Sequence, residues 1–111
     1  MVLDKNETLN RIKEIVSKNE IVIFMKGTPQ FPQCGFSAKA SKVLGEVGAQ
    51  YYAVNVLEDL AIFKFLPDFA AWPTFPQIYA RGELIGGCDI LVDLYNSGEL
   101  ADIIKNQDAA S

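Results

Sequence analysis

Two thiols and no imidazole bound the side-chain chemistry open to this 111-residue chain. Cys34 stands between a Pro/Gly-punctuated loop, Gly27 to Gln33, and a run of residues at helical spacing. A cysteine just before a helix puts its sulfur near the unpaired N–H groups and the positive end of the helix dipole, which favours thiolate over thiol. Lys26, at the end of the preceding apolar run, is placed to add positive charge, and Gly35 leaves the surface beside the sulfur open. A C-x-x-C redox site would carry its second sulfur three residues on, where this chain has Ser37. The plain alternative is an inert buried cysteine, since free Cys is among the most buried residue types. The position between loop and helix start favours the reactive reading.

The same counts exclude other chemistry. Without histidine there is no Cys-His or Ser-His-Asp arrangement for hydrolase-type nucleophilic catalysis. Cys34 and Cys88 cannot complete a four-ligand zinc site from one chain, nor do they resemble the disulfide framework of a small secreted domain. Any metal site must borrow ligands from outside the chain.

The elements that position Cys34 follow from periodicity. Leu9, Ile12, Ile15 and Val16 recur at helical spacing, and "IVIFM" (Ile21 to Met25) reads as a buried central strand. Beyond Cys34, the residues Phe36, Ala40, Val43, Leu44 and Val47 mark one helical face, weakened and ended by Gly45 and Gly48. "YYAVNV" (Tyr51 to Val56) is the next strand, and the strand–helix–strand order implies a right-handed parallel crossover. A third helix from about Glu58 is expected to bury Ile62, Phe65, Leu66 and Phe69, with Pro67 kinking or splitting it. Gln77 to Ala80 and Glu83 to Ile85 flank the two-residue turn Arg81-Gly82 as a hairpin. Two short helices joined at Asn96-Ser97-Gly98 follow, with Leu91, Leu94 and Tyr95, then Leu100, Ile103 and Ile104, facing the core. The order describes a four-stranded mixed sheet with helices on both faces, an α/β arrangement of thioredoxin-like type.

Length sets one domain, residues 1–111, with about 106–111 expected as a disordered tail. Half the residues are hydrophobic, enough for a packed interior. A net charge of -4 and a pI near 4.7 argue against nucleic acid or an anionic membrane as the main partner. No apolar run approaches the roughly 20 residues of a membrane span, and the N-terminal residues lack the apolar core of a signal peptide. The expected location is cytoplasmic.

Three stretches, "MKGTPQFPQCGFS", "WPTFPQIY" and "GELIGGCDI", occur in order and at fixed separations, and together they resemble the monothiol glutaredoxins of the CGFS class. The resemblance covers nearly the whole chain. It implies that Cys34 is the active-site thiol and that Lys26 pairs with a carboxylate of glutathione, a charge-assisted contact. Phe75 and Pro76 resemble the segment with a cis-proline, where the Phe75 backbone takes up glutathione's cysteinyl unit as an added strand. Gly87, Cys88 and Asp89 resemble the turn whose N–H groups receive the γ-glutamyl carboxylate, with Asp89 capping the next helix and facing the ammonium. Cys88 reads as a small structural residue more readily than as a partner for Cys34. One position departs from the pattern. Where many members carry an arginine early in the third helix, this chain has Phe63, with Lys64 beside it as an open substitute; either glutathione affinity is weaker or Lys26 and Gln77 carry more of the contact.

The resemblance also implies a function. A [2Fe–2S] cluster takes four thiolates, and two chains with two glutathiones supply four. The expected role is an iron–sulfur carrier, homodimeric when cluster-bound, serving apo iron–sulfur client proteins and pairing with a BolA-like partner. The longer loop from Lys26 to Cys34 favours cluster exchange over reductase work. The other readings are a glutathione-dependent oxidoreductase that removes glutathione from proteins, and an iron-sensing adaptor acting through its partner.

Overall fold

The computed structural model describes residues 4–109. Helix α1 (Lys5–Lys18) starts at Asp4, whose side chain accepts the Glu7 N–H. Strand β1 (Ile21–Met25) is wholly buried. Helix α2 (Gly35–Glu46), strand β2 (Tyr52–Asn55), a 3₁₀ turn (Val56–Glu58) and helix α3 (Leu60–Ala70) follow. The hairpin β3 (Gln77–Ala80) and β4 (Glu83–Gly86) leads into α4 (Cys88–Ser97) and α5 (Glu99–Ala109).

The sheet runs β2-β1-β3-β4, with β1 and β2 parallel and both other pairs antiparallel. Alternation along β1 builds the two halves of the core, because successive strand side chains point to opposite faces. Ile21, Ile23 and Met25 pack with Ala40, Val43 and Leu44 of α2, Leu91 of α4 and Leu100 of α5. Val22 and Phe24 pack with Ile12 and Val16 of α1 and Ile62 and Leu66 of α3. The expected mixed sheet with helices on both faces is what folds. Arg81 and Gly82 both adopt positive φ, as the two-residue turn of a right-twisted hairpin requires.

Several local expectations change. Phe36 is 62 % exposed, because the core-facing stripe of α2 runs instead through Ser37, Ala40, Ser41 and Leu44. Two small serines on that stripe hide the true phase from a reading by hydrophobicity. Phe69 and Tyr95 are also exposed, and the Tyr95 hydroxyl donates to Glu46 across α4 and α2. Gly45 lies inside α2, and the chain turns at Gly48, which has positive φ.

Helix α3 starts at Leu60, after Asp59, whose carboxylate accepts the Ile62 N–H. It passes through Pro67 unbroken. Proline removes only the bond to the carbonyl four residues back, and the buried Ile62 and Leu66 hold the inner side in register. The helical backbone continues through residues 106–109, where a tail was expected. Residues 110 and 111 lie outside the described residues.

Candidate functional site

Cys34 precedes α2 as its N-cap residue and contributes no side-chain cap bond. The first turn of the helix is therefore aimed at the sulfur. The Ser37 N–H bonds to it, which lowers the Cys34 pKa from its usual 9.0; the Phe36 N–H and the Ser37 hydroxyl add to this, and Lys26 contributes the smallest share. Desolvation opposes these effects without overcoming them. The helix start, more than the lysine, favours the thiolate.

Ser37, which stands where a second redox cysteine would be, is fully buried, and its hydroxyl accepts the Lys26 backbone N–H at 3.1 Å. It thus pins the end of β1 against the start of α2. Sequence reasoning treated Ser37 as an absent sulfur; the signal available was a serine on the buried stripe of an amphipathic helix.

The loop between Lys26 and Cys34 closes on itself. Thr28 and Phe31 exchange backbone hydrogen bonds, and the Gln33 N–H donates to the Lys26 carbonyl at 2.9 Å. Gly27 has φ +91°, and a Cβ there would lie 2.5 Å from the Phe31 oxygen, so only glycine fits. Asn55, at the end of β2, accepts the Gly27 N–H and ties the loop to the sheet.

An open groove of about 720 Å³ runs past the thiol, between the loop side and the Trp72–Pro76 segment. Its walls include Lys26, Cys34, Phe75, Pro76, Gly87, Cys88 and Asp89, whereas Gln77, also expected to contact a ligand, is not among them. Lys26 and Asp89 are the only charged side chains among the lining residues. The Phe75–Pro76 peptide is cis. Gly35 leaves open space beside Cys34, since a Cβ there would meet nothing within 4 Å.

At the far end of the groove, Gly87 caps α4, and Cys88 is its first helical residue. Asp89, expected to cap this helix, lies within its first turn, and the N-cap position is Gly87, with no side-chain capping bond. The absence of a side chain at Gly87 matters here. A Cβ would lie 3.2 Å from the Trp72 indole nitrogen and 3.4 Å from the Pro76 carbonyl oxygen, so glycine lets the two walls meet. Cys88 is buried in the core with Leu91 and Ile78, and burial pushes its thiol up from 9.0. Of the two sulfurs, Cys34 alone is poised as a nucleophile or ligand.

Phe63 also lines the groove, with its ring 5.6 Å from that of Phe75. Lys64 is not among the lining residues, and its ammonium sits over the Phe65 ring, 5.4 Å from the centroid. Gln77 is fully buried with its amide turned inward, so it carries no ligand contact. Among the described residues, no group of three or more potential metal-ligating side chains converges. A second hollow of about 660 Å³, between α1, β2 and the start of α3, holds no cysteine and is lined partly by the Arg11–Asp59 ion pair.

The site is thus a lone activated thiol before α2, across a groove from a cis-proline segment. The glutaredoxin family model matches residues 21–85. The chain belongs to the glutaredoxin family. A probable monothiol glutaredoxin 2 of Rickettsia typhi is 44% identical over 103 residues, 93% of each chain. Glutaredoxin 4 of Buchnera aphidicola is 49% identical over 98 residues, covering 88% of this chain and 92% of that one. The solution structure of reduced poplar apo GrxS14 superimposes with a TM-score of 0.74 at 42% identity, over 91% of this chain and 90% of that one. With Ser37 at the second cysteine position and Cys88 buried, this glutaredoxin is of the monothiol kind. Among the described residues, no helix is long and apolar enough to cross a membrane.

Proposed function

We propose that this monothiol glutaredoxin holds glutathione in the Cys34 groove and that two copies carry a [2Fe–2S] cluster as cargo to apo iron–sulfur proteins. The observation that carries the reading is the single activated thiol in an open groove flanked by one cation and one acid. Lys26 would pair with one glutathione carboxylate. The backbone of Phe75 would pair with the cysteinyl unit, and the α4 start at Gly87 and Cys88 would receive the γ-glutamyl carboxylate beside Asp89.

The donor set fits shared ligation. Thiolates are the usual ligands of such clusters, and four are needed. Each chain supplies one, because Cys88 is buried with its thiol favoured, and no intrachain set of ligands converges among the described residues. Two Cys34 thiolates and two glutathione thiolates make the count. Two exchangeable small-molecule ligands suit a cargo that must leave. The lack of a disulfide framework in the sequence suits the cytoplasm, with a BolA-like protein as an alternative partner to the second copy.

The accessible thiolate also supports a second reading, in which Cys34 attacks a glutathionylated protein, takes the glutathione as a mixed disulfide and is released by a second glutathione thiolate. Anaerobic reconstitution with iron, sulfide and glutathione separates the two. The carrier gives a coloured dimer by visible absorption and size, and Cys34→Ser loses both. A colourless monomer that rapidly reduces glutathionylated protein would overturn the carrier reading.

A further inference from the structure

Gln77 is a fully buried polar residue that does not itself line the groove. Its Nε2 donates to the Trp72 carbonyl at 2.9 Å and to the Thr74 carbonyl at 3.4 Å. Its Oε1 accepts the Tyr79 hydroxyl at 3.0 Å. The orientation is forced. Two carbonyl oxygens can only accept, so the NH₂ must face them, and the remaining oxygen must then receive a proton from Tyr79. Tyr79 is itself held in the core, buried and edge-on to Phe24 with ring centroids 5.5 Å apart. Gln77 and Tyr79 lie two apart on β3 and share one face of the sheet.

The two carbonyls bracket the backbone that leads to Phe75. Trp72 is also the residue whose indole closes on Gly87, at the α4 end of the groove. One amide thus braces the groove wall at Thr74 and, through Trp72, its contact with the opposite wall.

We propose that Gln77, oriented by the Tyr79 hydroxyl, is a positioning residue that sets the Trp72–Phe75 backbone on which the peptide part of a thiol ligand is read. This rests on the glutathione reading for the identity of the ligand, though not for the brace itself. The residue acts on peptide recognition and leaves the thiolate alone, because the N–H groups that activate Cys34 belong to α2.

The test uses Gln77→Met, which keeps length and loses the hydrogen bonds, and Tyr79→Phe, which removes one hydroxyl from the core. Each is reacted with glutathione disulfide and with 2-hydroxyethyl disulfide, which carries no peptide. In both reactions the Cys34 thiolate attacks one sulfur, the S–S bond breaks, and the other half leaves as a thiolate. Gln77→Met is expected to slow the glutathione disulfide reaction by about tenfold and the small disulfide by less than about twofold, the scale of one lost buried hydrogen-bond set. Tyr79→Phe is expected to act in the same sense and more weakly, with the double variant no slower than Gln77→Met. In the ligand-free protein, amide shifts at Trp72, Thr74, Phe75 and Gly87 move in both variants, and the Cys34 titration stays in place.

Equal slowing of both disulfides, or unmoved amides in that segment, overturns the proposal. Should Gln77→Met fail to fold, Tyr79→Phe decides it by the same two readouts. A wild-type protein that reacts no faster with glutathione disulfide than with the small disulfide refutes the glutathione reading instead, and the ligand-free amides still decide the brace.

Discussion

At the scale of single residues, the thiolate is favoured by the start of a helix. The Ser37 N–H is the leading cause of the lowered Cys34 pKa, ahead of the Ser37 hydroxyl and of Lys26. The lower part of that order, the hydroxyl ahead of the lysine, is testable, because Ser37→Ala keeps the N–H and removes only the hydroxyl. Ser37→Ala is expected to raise the Cys34 pKa by more than Lys26→Ala does, measured by thiolate absorbance near 240 nm against pH. Ser37→Ala also removes the acceptor for the Lys26 N–H, at a cost of about 1 kcal/mol in denaturant unfolding. Linkage follows with a definite sign. A cysteine whose folded pKa lies below 9.0 binds fewer protons folded than unfolded, so its contribution to stability grows as pH rises from the folded value towards 9.0 and is lost below that window. Cys34→Ser should flatten that slope. Phe63 bears on the ligand. Phe63→Arg would give the groove a second cation, and glutathione affinity is expected to rise severalfold at low salt, with the gain fading as salt is added.

At the scale of elements, the junctions carry more specificity than the elements themselves. Asp59 caps α3 and pairs with Arg11 of α1, whose own side chain is half exposed. Asp59→Ala is expected to cost about 1 kcal/mol or somewhat more through the lost cap, whereas Arg11→Ala should cost well under 1 kcal/mol as an exposed ion pair; urea unfolding checks both. Leu66→Ala, in the fully buried row of α3, should cost about 2–5 kcal/mol. The helices were legible because their apolar residues recur on one face, and β1 because it is a short apolar run bounded by turn residues. The phase of α2 was not. Ser37 and Ser41 occupy its buried stripe while Phe36 stands at the mouth of the groove, so the strongest hydrophobic signal in the first turn pointed the wrong way.

At the scale of the whole molecule, two half-cores share one sheet, and β3 links the far one to the groove. Phe75 and Tyr79 belong to the core half that contains α1 and α3, and Cys88 belongs to the other. Burial pushes the Tyr79 pKa up from 10.0 to about 12. Its neutral form is therefore favoured in the fold, and the stability this represents is complete below pH 10 and lost as pH rises from 10 towards 12. Alkaline unfolding followed by circular dichroism should weaken over that window, and Tyr79→Phe should remove this part of the loss.

By itself the sequence determined the mixed sheet and its helix layers, because periodicity is local, and the three motif stretches gathered residues that share one groove. Lys26, Cys34, Phe75, Pro76, Gly87, Cys88 and Asp89 were named from sequence, and all line one groove. Their tasks were decided only by tertiary structure. Gly87 caps α4 in place of Asp89, Lys64 turns onto Phe65, and Gln77 points inward to brace the groove wall. Ser37, the apparent gap in a redox motif, proves to be a buried latch that also supports the thiolate. The reason is physical. A residue type limits which hydrogen bonds a side chain can make, whereas the partners it meets are set by packing between segments distant in the chain.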